Sequence, residues 1–114
     1  MIRLKRVYES PSKEDGIRIL VERLWPRGLT REQAAFDMWW KEIAPSTELR
    51  RWFAHIPERW DEFCVRYTEE LSKNQKVVQA LWSECKGKKV TLIFAAKDEL
   101  RNSAVVLKKF LESL

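Results

Sequence analysis

Apolar and polar positions change rhythm along this chain, and each rhythm names an element. Ile2-Arg-Leu4-Lys-Arg-Val7-Tyr8 alternates imperfectly, as a strand does. Residues 9–16 are polar, contain Pro11 and end in Asp15-Gly16, a strong turn dipeptide. A second strand is expected over 17–24, with Ile17, Ile19 and Val21 on one face and Leu20 and Leu24 on the other. Apolar residues on both faces imply a sheet covered on both sides. Thr30-Arg-Glu-Gln33 fits a capping box and predicts a short helix over 34–36. Ser46, after Pro45, is a second N-cap, and Leu49, Trp52 and Phe53 then recur at helical spacing. Pro57 permits a fresh helix start, after which Trp60, Phe63, Cys64, Tyr67 and Leu71 form one apolar stripe. Val77, Val78, Leu81, Trp82 and Cys85 repeat that pattern up to Gly87, a helix-terminating glycine. Residues 90–96 are almost continuously apolar and read as a central strand. The last helix, capped by Asn102, buries Val106, Leu107, Phe110, Leu111 and Leu114.

This order predicts one α/β domain spanning residues 1–114. It is a small layered fold with a short, mostly parallel sheet of about three strands and four or five flanking helices. The long helical connection between the second and third strands suits a right-handed crossover. Residues 9–16 are few for a parallel crossover, which leaves the direction of the first strand open between parallel and antiparallel, the latter giving a mixed sheet.

Composition adds little to the fold and more to the setting. The 114 residues are 45% hydrophobic and 34% charged, with 22 basic against 17 acidic groups and a net charge of +5. The excess is spread along the chain, not gathered into a stripe, which argues against a nucleic-acid binder without excluding one. The densest tracts, Arg3-Leu-Lys5-Arg6 and Lys86-Gly-Lys88-Lys89, suit strand edges, where lysines discourage unwanted pairing. Six tryptophans imply a tryptophan-rich core. Both cysteines fall on apolar helix stripes and read as small buried hydrophobes. With no paired His/Cys spacing and no signal peptide, they point to a reducing cytoplasm. No apolar run reaches the length of a bilayer, so no membrane partner is expected.

The candidate chemistry gathers where strands end. Arg23-Leu-Trp25-Pro-Arg27-Gly28 places two guanidiniums, an indole and a turn just past the second strand, the usual ligand position in open α/β sheets. Arginine suits bidentate contact with phosphate or carboxylate. If the two central strands are parallel neighbours, Lys97, Asp98 and the helix start at Asn102 join the same edge. Asp98 is then the candidate base, or it orients a guanidinium, or it merely caps the last helix and pairs structurally with Arg23. Arg50 is a candidate for the same pocket, and Trp25 for its wall. Trp39 and Trp40 either line a pocket or cover the sheet edge. His55, the only histidine, makes no zinc site alone, and beside Pro57 it reads as a helix C-cap more readily than as an acid/base group. No metal or cofactor motif is present, and no phosphate loop or nucleophile elbow.

These residues also carry a resemblance. Asp15-Gly-Ile-Arg-Ile-Leu-Val-Glu-Arg-Leu-Trp-Pro-Arg-Gly-Leu29 resembles the opening signature of the YeaO-like family of domains of unknown function, family number 488. The likeness continues through Ala44-Pro-Ser-Thr-Glu-Leu-Arg50 with Trp52-Phe53, then Trp60 and Phe63 to Leu71. It ends in Ala95-Ala-Lys-Asp98, Asn102 and Ala104-Val-Val-Leu107. The resemblance implies a small bacterial or archaeal α/β protein with no established activity. Its signature residues here are Arg23, Trp25, Pro26, Arg27, Gly28, Pro45, Ser46, Arg50, Lys97, Asp98 and Asn102. Glu22 departs from the family's usual Asp, keeping the charge with a longer reach.

The leading expectation is a small anionic ligand, phosphate- or carboxylate-bearing, at the carboxyl edge of the sheet. Arg23, Arg27, Arg50, Lys97 and Asn102 would hold it, Trp25 would wall it, and Asp98 would act if the protein is an enzyme. The alternatives are a nucleic-acid or nucleotide-binding module and a non-catalytic structural partner. Neither the reaction nor the oligomeric state follows from the sequence.

Overall fold

A computed structural model describes residues 2–114 of the chain. They form four strands, β1 (Ile2–Arg6), β2 (Ile17–Leu20), β3 (Met38–Trp39) and β4 (Val90–Phe94). Five helices accompany them: α1 (Arg31–Ala34), α2 (Thr47–Phe53), α3 (Trp60–Lys73), α4 (Gln75–Cys85) and α5 (Ser103–Glu112). The strands make one sheet in the order β1-β4-β2-β3, and every pair is parallel. The α/β class expected from the sequence is therefore present, with one strand more than expected.

β4 sits at the centre because every residue of Val-Thr-Leu-Ile-Phe is buried. It pairs with β1 from Ile2↔Val90 to Arg6↔Phe94 and with β2 from Ile17↔Val90 to Leu20↔Ile93. Ile19, Val21 and Leu92 face the main core with α2 to α5, where Phe53 stacks on Phe63 at 4.4 Å. Val7, Leu20, Ala34 and Ile93 form a small second core on the opposite face. The two-faced reading of β2 thus holds as far as Val21. Leu24 lies beyond the strand and is exposed, because the chain has already turned away.

The first strand is parallel, not antiparallel. β4 fills the place between β1 and β2, so residues 7–16 step across a whole strand instead of joining neighbours. A strand of five residues is only about 16 Å long, and ten residues of chain can return that distance without a helix. The return is locked at its end. Asp15 is buried and accepts hydrogen bonds from Arg18 Nη1 at 2.6 Å and from the Ser12 amide at 3.0 Å, with Lys5 Nζ at 3.2 Å. Arg18, also buried, donates to the Ala35 and Ala34 carbonyls at 2.7 and 3.0 Å. Burial alone would raise the Asp15 carboxyl; the Ser12 amide, Arg18 and Lys5 outweigh it and hold it below the usual carboxylate range. Gly16 follows at φ +63°, and a Cβ there would stand 2.2 Å from the Lys89 carbonyl oxygen. Only glycine fits that close approach.

Other expectations shift in detail. α1 begins directly after the Thr30 cap and ends at left-handed Ala35, so it lies earlier than the expected 34–36. β3 went unexpected; its two residues pair with Ile19 and Leu20 at the sheet edge. The tryptophans ring the main core without any being fully buried: Trp40, Trp52, Trp60 and Trp82 pack against its outside. Leu114, expected on the buried face of α5, is 48% exposed past the helix end. His55 caps nothing through its imidazole. Its ring lies 5.7 Å from that of Phe53, and the Arg59 guanidinium instead donates to the Trp52 carbonyl.

Candidate functional site

β2 and β4 end side by side, and their continuations are tied together by side chains that bond to backbone. Glu22 leaves β2 and accepts the Ala95 amide at 3.2 Å through Oε2. Arg6, at the end of β1, donates to the Ala96 and Ala95 carbonyls at 2.9 and 3.4 Å. Trp39 Nε1 donates to the Glu22 carbonyl at 2.6 Å, which fixes β3 against the same exit. Burial pushes the half-buried Glu22 carboxyl above its ordinary value, while the Ala95 amide and the Arg50 charge pull it back.

Arg23 turns away from this edge. Its Nε donates to the Pro45 carbonyl at 3.1 Å and its Nη2 to the Ala44 carbonyl at 3.0 Å. It lines a cavity of about 200 Å³ with Ser46, Tyr67 and Glu70, to which Arg27 and Lys97 do not contribute. Trp25 closes its own turn by donating to the Leu29 carbonyl at 2.7 Å. Its ring meets those of Trp39 and Phe36 edge-on at 5.4 and 5.8 Å. Gly28, at φ +80°, permits that turn. Arg27 is held beside the β1 end through its backbone, whose carbonyl accepts the Tyr8 hydroxyl at 2.9 Å.

On the β4 side, Asp98 shapes the loop into α5. Its Oδ1 accepts the Leu100 and Arg101 amides at 2.9 and 3.0 Å, bonds that hold the exposed carboxyl below its usual range. The guanidinium beside it is Arg101, at 3.4 Å, and not Arg23. Asn102 is buried; its Nδ2 donates to the Asp98 carbonyl and its Oδ1 accepts the Val105 amide, capping α5.

Of the residues singled out from the sequence, Arg27 is tied by its backbone to Tyr8 just past β1, and Lys97 follows the Ala95 and Ala96 carbonyls that Arg6 holds. Arg50 belongs to the same edge through its charge on Glu22. Arg23 is committed instead to the Pro45 and Ala44 carbonyls and the cavity beside Tyr67. The side chains of Arg27, Arg50 and Lys97 are exposed and make no hydrogen bond or ion pair among the described residues. Glu22 is the polar group at the edge that sequence reasoning left out of the site. Its signal was an acid placed immediately after an apolar strand. Glu70 was missed as well: it accepts the Ser46 amide at 2.9 Å and the Ser46 hydroxyl at 2.6 Å, bracing the start of α2. No group of three or more metal-ligating side chains occurs among the described residues.

Fold and edge together define a small parallel-sheet α/β protein. Its carboxyl edge is laced by side-chain-to-backbone bonds and rimmed by unpaired cations. Over residues 1–114 the chain matches the family described as the inactive DUF488-N3 subclade, and it belongs to that family. It is 42% identical over 113 residues to the uncharacterized protein YeaO of Escherichia coli K12, covering 99% of this chain and 98% of that protein. It is 40% identical over 111 residues to the uncharacterized protein Rv3073c of Mycobacterium tuberculosis, covering 96% and 92%. No solved structure matches it. No helix among the described residues is long and apolar enough to cross a membrane.

Proposed function

We propose that this protein is a non-catalytic binding module that holds a small phosphate- or carboxylate-bearing anion at the carboxyl edge of its sheet. The observation that carries this role is the division of labour among the edge residues. Arg27 and Lys97 keep their charges free of protein partners and Arg50 faces only the Glu22 charge, while Glu22, Trp25, Asp98 and Asn102 are spent on backbone. Free cations on a rigid rim can bind an anion without rearranging the fold. Asp98, the base that a catalytic role would use, is held low and already accepts two amides, which makes it a weak proton acceptor. The family's description as inactive supports the same choice. The unpaired cysteines, Cys64 and Cys85, support a reducing, cytoplasmic setting.

The test is thermal melting in low salt with pyrophosphate, inorganic phosphate and citrate at millimolar concentration. At least one anion is expected to raise the melting temperature, since a ligand that binds only the folded state stabilises it. A combined Arg27→Ala and Lys97→Ala protein is expected to lose that rise and keep its unliganded melting temperature. No rise with any of the three would overturn the role.

One observation favours a second role. Tyr8 and Trp25 are 42% and 39% exposed beside Arg27, a pairing of aromatic faces and cation that suits a nucleotide or single-stranded nucleic acid. Binding to a short oligonucleotide that weakens steeply with salt, alongside indifference to free phosphate, would select it.

A further inference from the structure

The cavity that Arg23 lines has a chemistry of its own, separate from the cationic rim. Its volume is about 200 Å³, and it lies between the segment 42–46 and the junction of α3 with α4. Such a volume holds about six or seven water-sized groups, below the usual range for drug-sized ligands.

Its polar lining is of mixed sign and incompletely used. Arg23 spends Nε and Nη2 on two carbonyls, leaving both Nη1 hydrogens without an acceptor among the described residues. Glu70 accepts one bond on each oxygen, both from Ser46, and each oxygen keeps a further lone pair. Asn74 donates Nδ2 to the Glu42 carbonyl and keeps its amide oxygen free to accept. The Glu42 carboxylate is exposed and has no partner among the described residues. Tyr67, buried at the back, donates its hydroxyl to the Ile43 carbonyl at 2.7 Å. Burial and the nearby charges of Glu70 and Glu22 push that hydroxyl far up, with Arg23 opposing them, so it stays a neutral donor at any physiological pH. One guanidinium with spare donors therefore shares the lining of a small cavity with two acidic residues and an asparagine.

We propose that this cavity binds a small zwitterion, a free α-amino acid with a short side chain. Its carboxylate meets Arg23 Nη1, and its ammonium is shared by Glu70, Glu42 and the Asn74 amide oxygen. The matching of opposite charges to opposite ends selects the zwitterion over either half. A lone carboxylate would meet one cation and two repelling acids; a lone amine would leave the guanidinium unmatched.

Isothermal titration with L-alanine tests this, with propionate and ethylamine as the two halves of the same molecule. Alanine is expected to bind, and each half to bind roughly tenfold or more weakly, as loss of a charge-assisted bond implies. Glu42→Gln, at an exposed position, is expected to weaken alanine binding with no change in melting temperature. Glu70→Gln is expected to weaken it further while keeping an acceptor for Ser46. The combined Arg27→Ala and Lys97→Ala protein is expected to bind alanine as the parent does, which separates this site from the rim. Absence of alanine binding at millimolar concentration would overturn the proposal. So would equal binding of either half, or no effect of both Glu42→Gln and Glu70→Gln.

Discussion

The two ends of β2 carry one acid each, and the protein treats them in opposite ways. Asp15, just before the strand, is buried, yet it is held as a low-pKa carboxylate by Lys5, Arg18 and the Ser12 amide. Glu22, just after the strand, has its carboxyl raised, because burial outweighs the single Ala95 amide and the Arg50 charge that oppose it. Burial pushes both carboxyls up; the donors aimed at Asp15 reverse that push and those aimed at Glu22 do not. At the start of the strand the buried acid is held by two cations and an amide, which suits a lock. At its end the matching is left incomplete, and cations stand unpaired on the rim.

The lock can be broken most severely at Arg18. Arg18→Ala strips Asp15 of its shortest partner and frees two buried carbonyls. Breaking one side of a buried ion pair costs about 3–5 kcal/mol, to be read as a fall in the urea midpoint with little change in slope. Gly16→Ala attacks the same end through the backbone. The added Cβ collides with the Lys89 carbonyl at a positive φ, and about 1–3 kcal/mol of lost stability is expected in the same measurement. A stability change under about 0.5 kcal/mol in either protein would mean that the start of β2 is not the lock described.

The smallest effect, and the sharpest for the comparison, is in pH. The Asp15 carboxyl is lowered by folding, so its contribution is present above the ordinary unfolded value of about 3.9 and is lost as pH falls through the folded one. The Glu22 carboxyl is raised by folding, so stability declines as pH rises from about 4.3 through its folded value. Glu22→Gln is expected to remove that decline and to leave the acid-side loss in place. Urea unfolding followed from about pH 3 to about pH 7 would show both limbs, and a Glu22→Gln profile parallel to the parent's would contradict the contrast between the two acids.

What the sequence made legible follows the length of each pattern. The five buried residues of β4 announced a central strand, and Ile19 against Leu20 announced two covered faces. β3 is two residues long, too short for any alternation, and only its pairing with Ile19 and Leu20 reveals it. The direction of β1 could not be read from loop length, because the loop does not join neighbouring strands: β4, seventy residues later, takes the place between them. At the edge, the residue types were visible and their commitments were not. Arg23 reaches carbonyls more than twenty residues away at Ala44 and Pro45, a pairing no local spacing encodes. The Asp98–Arg101 contact, by contrast, is an i,i+3 arrangement within one loop.

The position of β4 also sets a timetable. The strand that joins β1 to β2 is the last of the four to be made, so neither earlier strand has its central neighbour until residues 90–94 leave the ribosome. A chain cut before β4 is therefore not a smaller version of this fold but a set of elements without a centre. Assembly has the all-or-none character of a keystone set last, with the slow, non-local closure that such ordering brings.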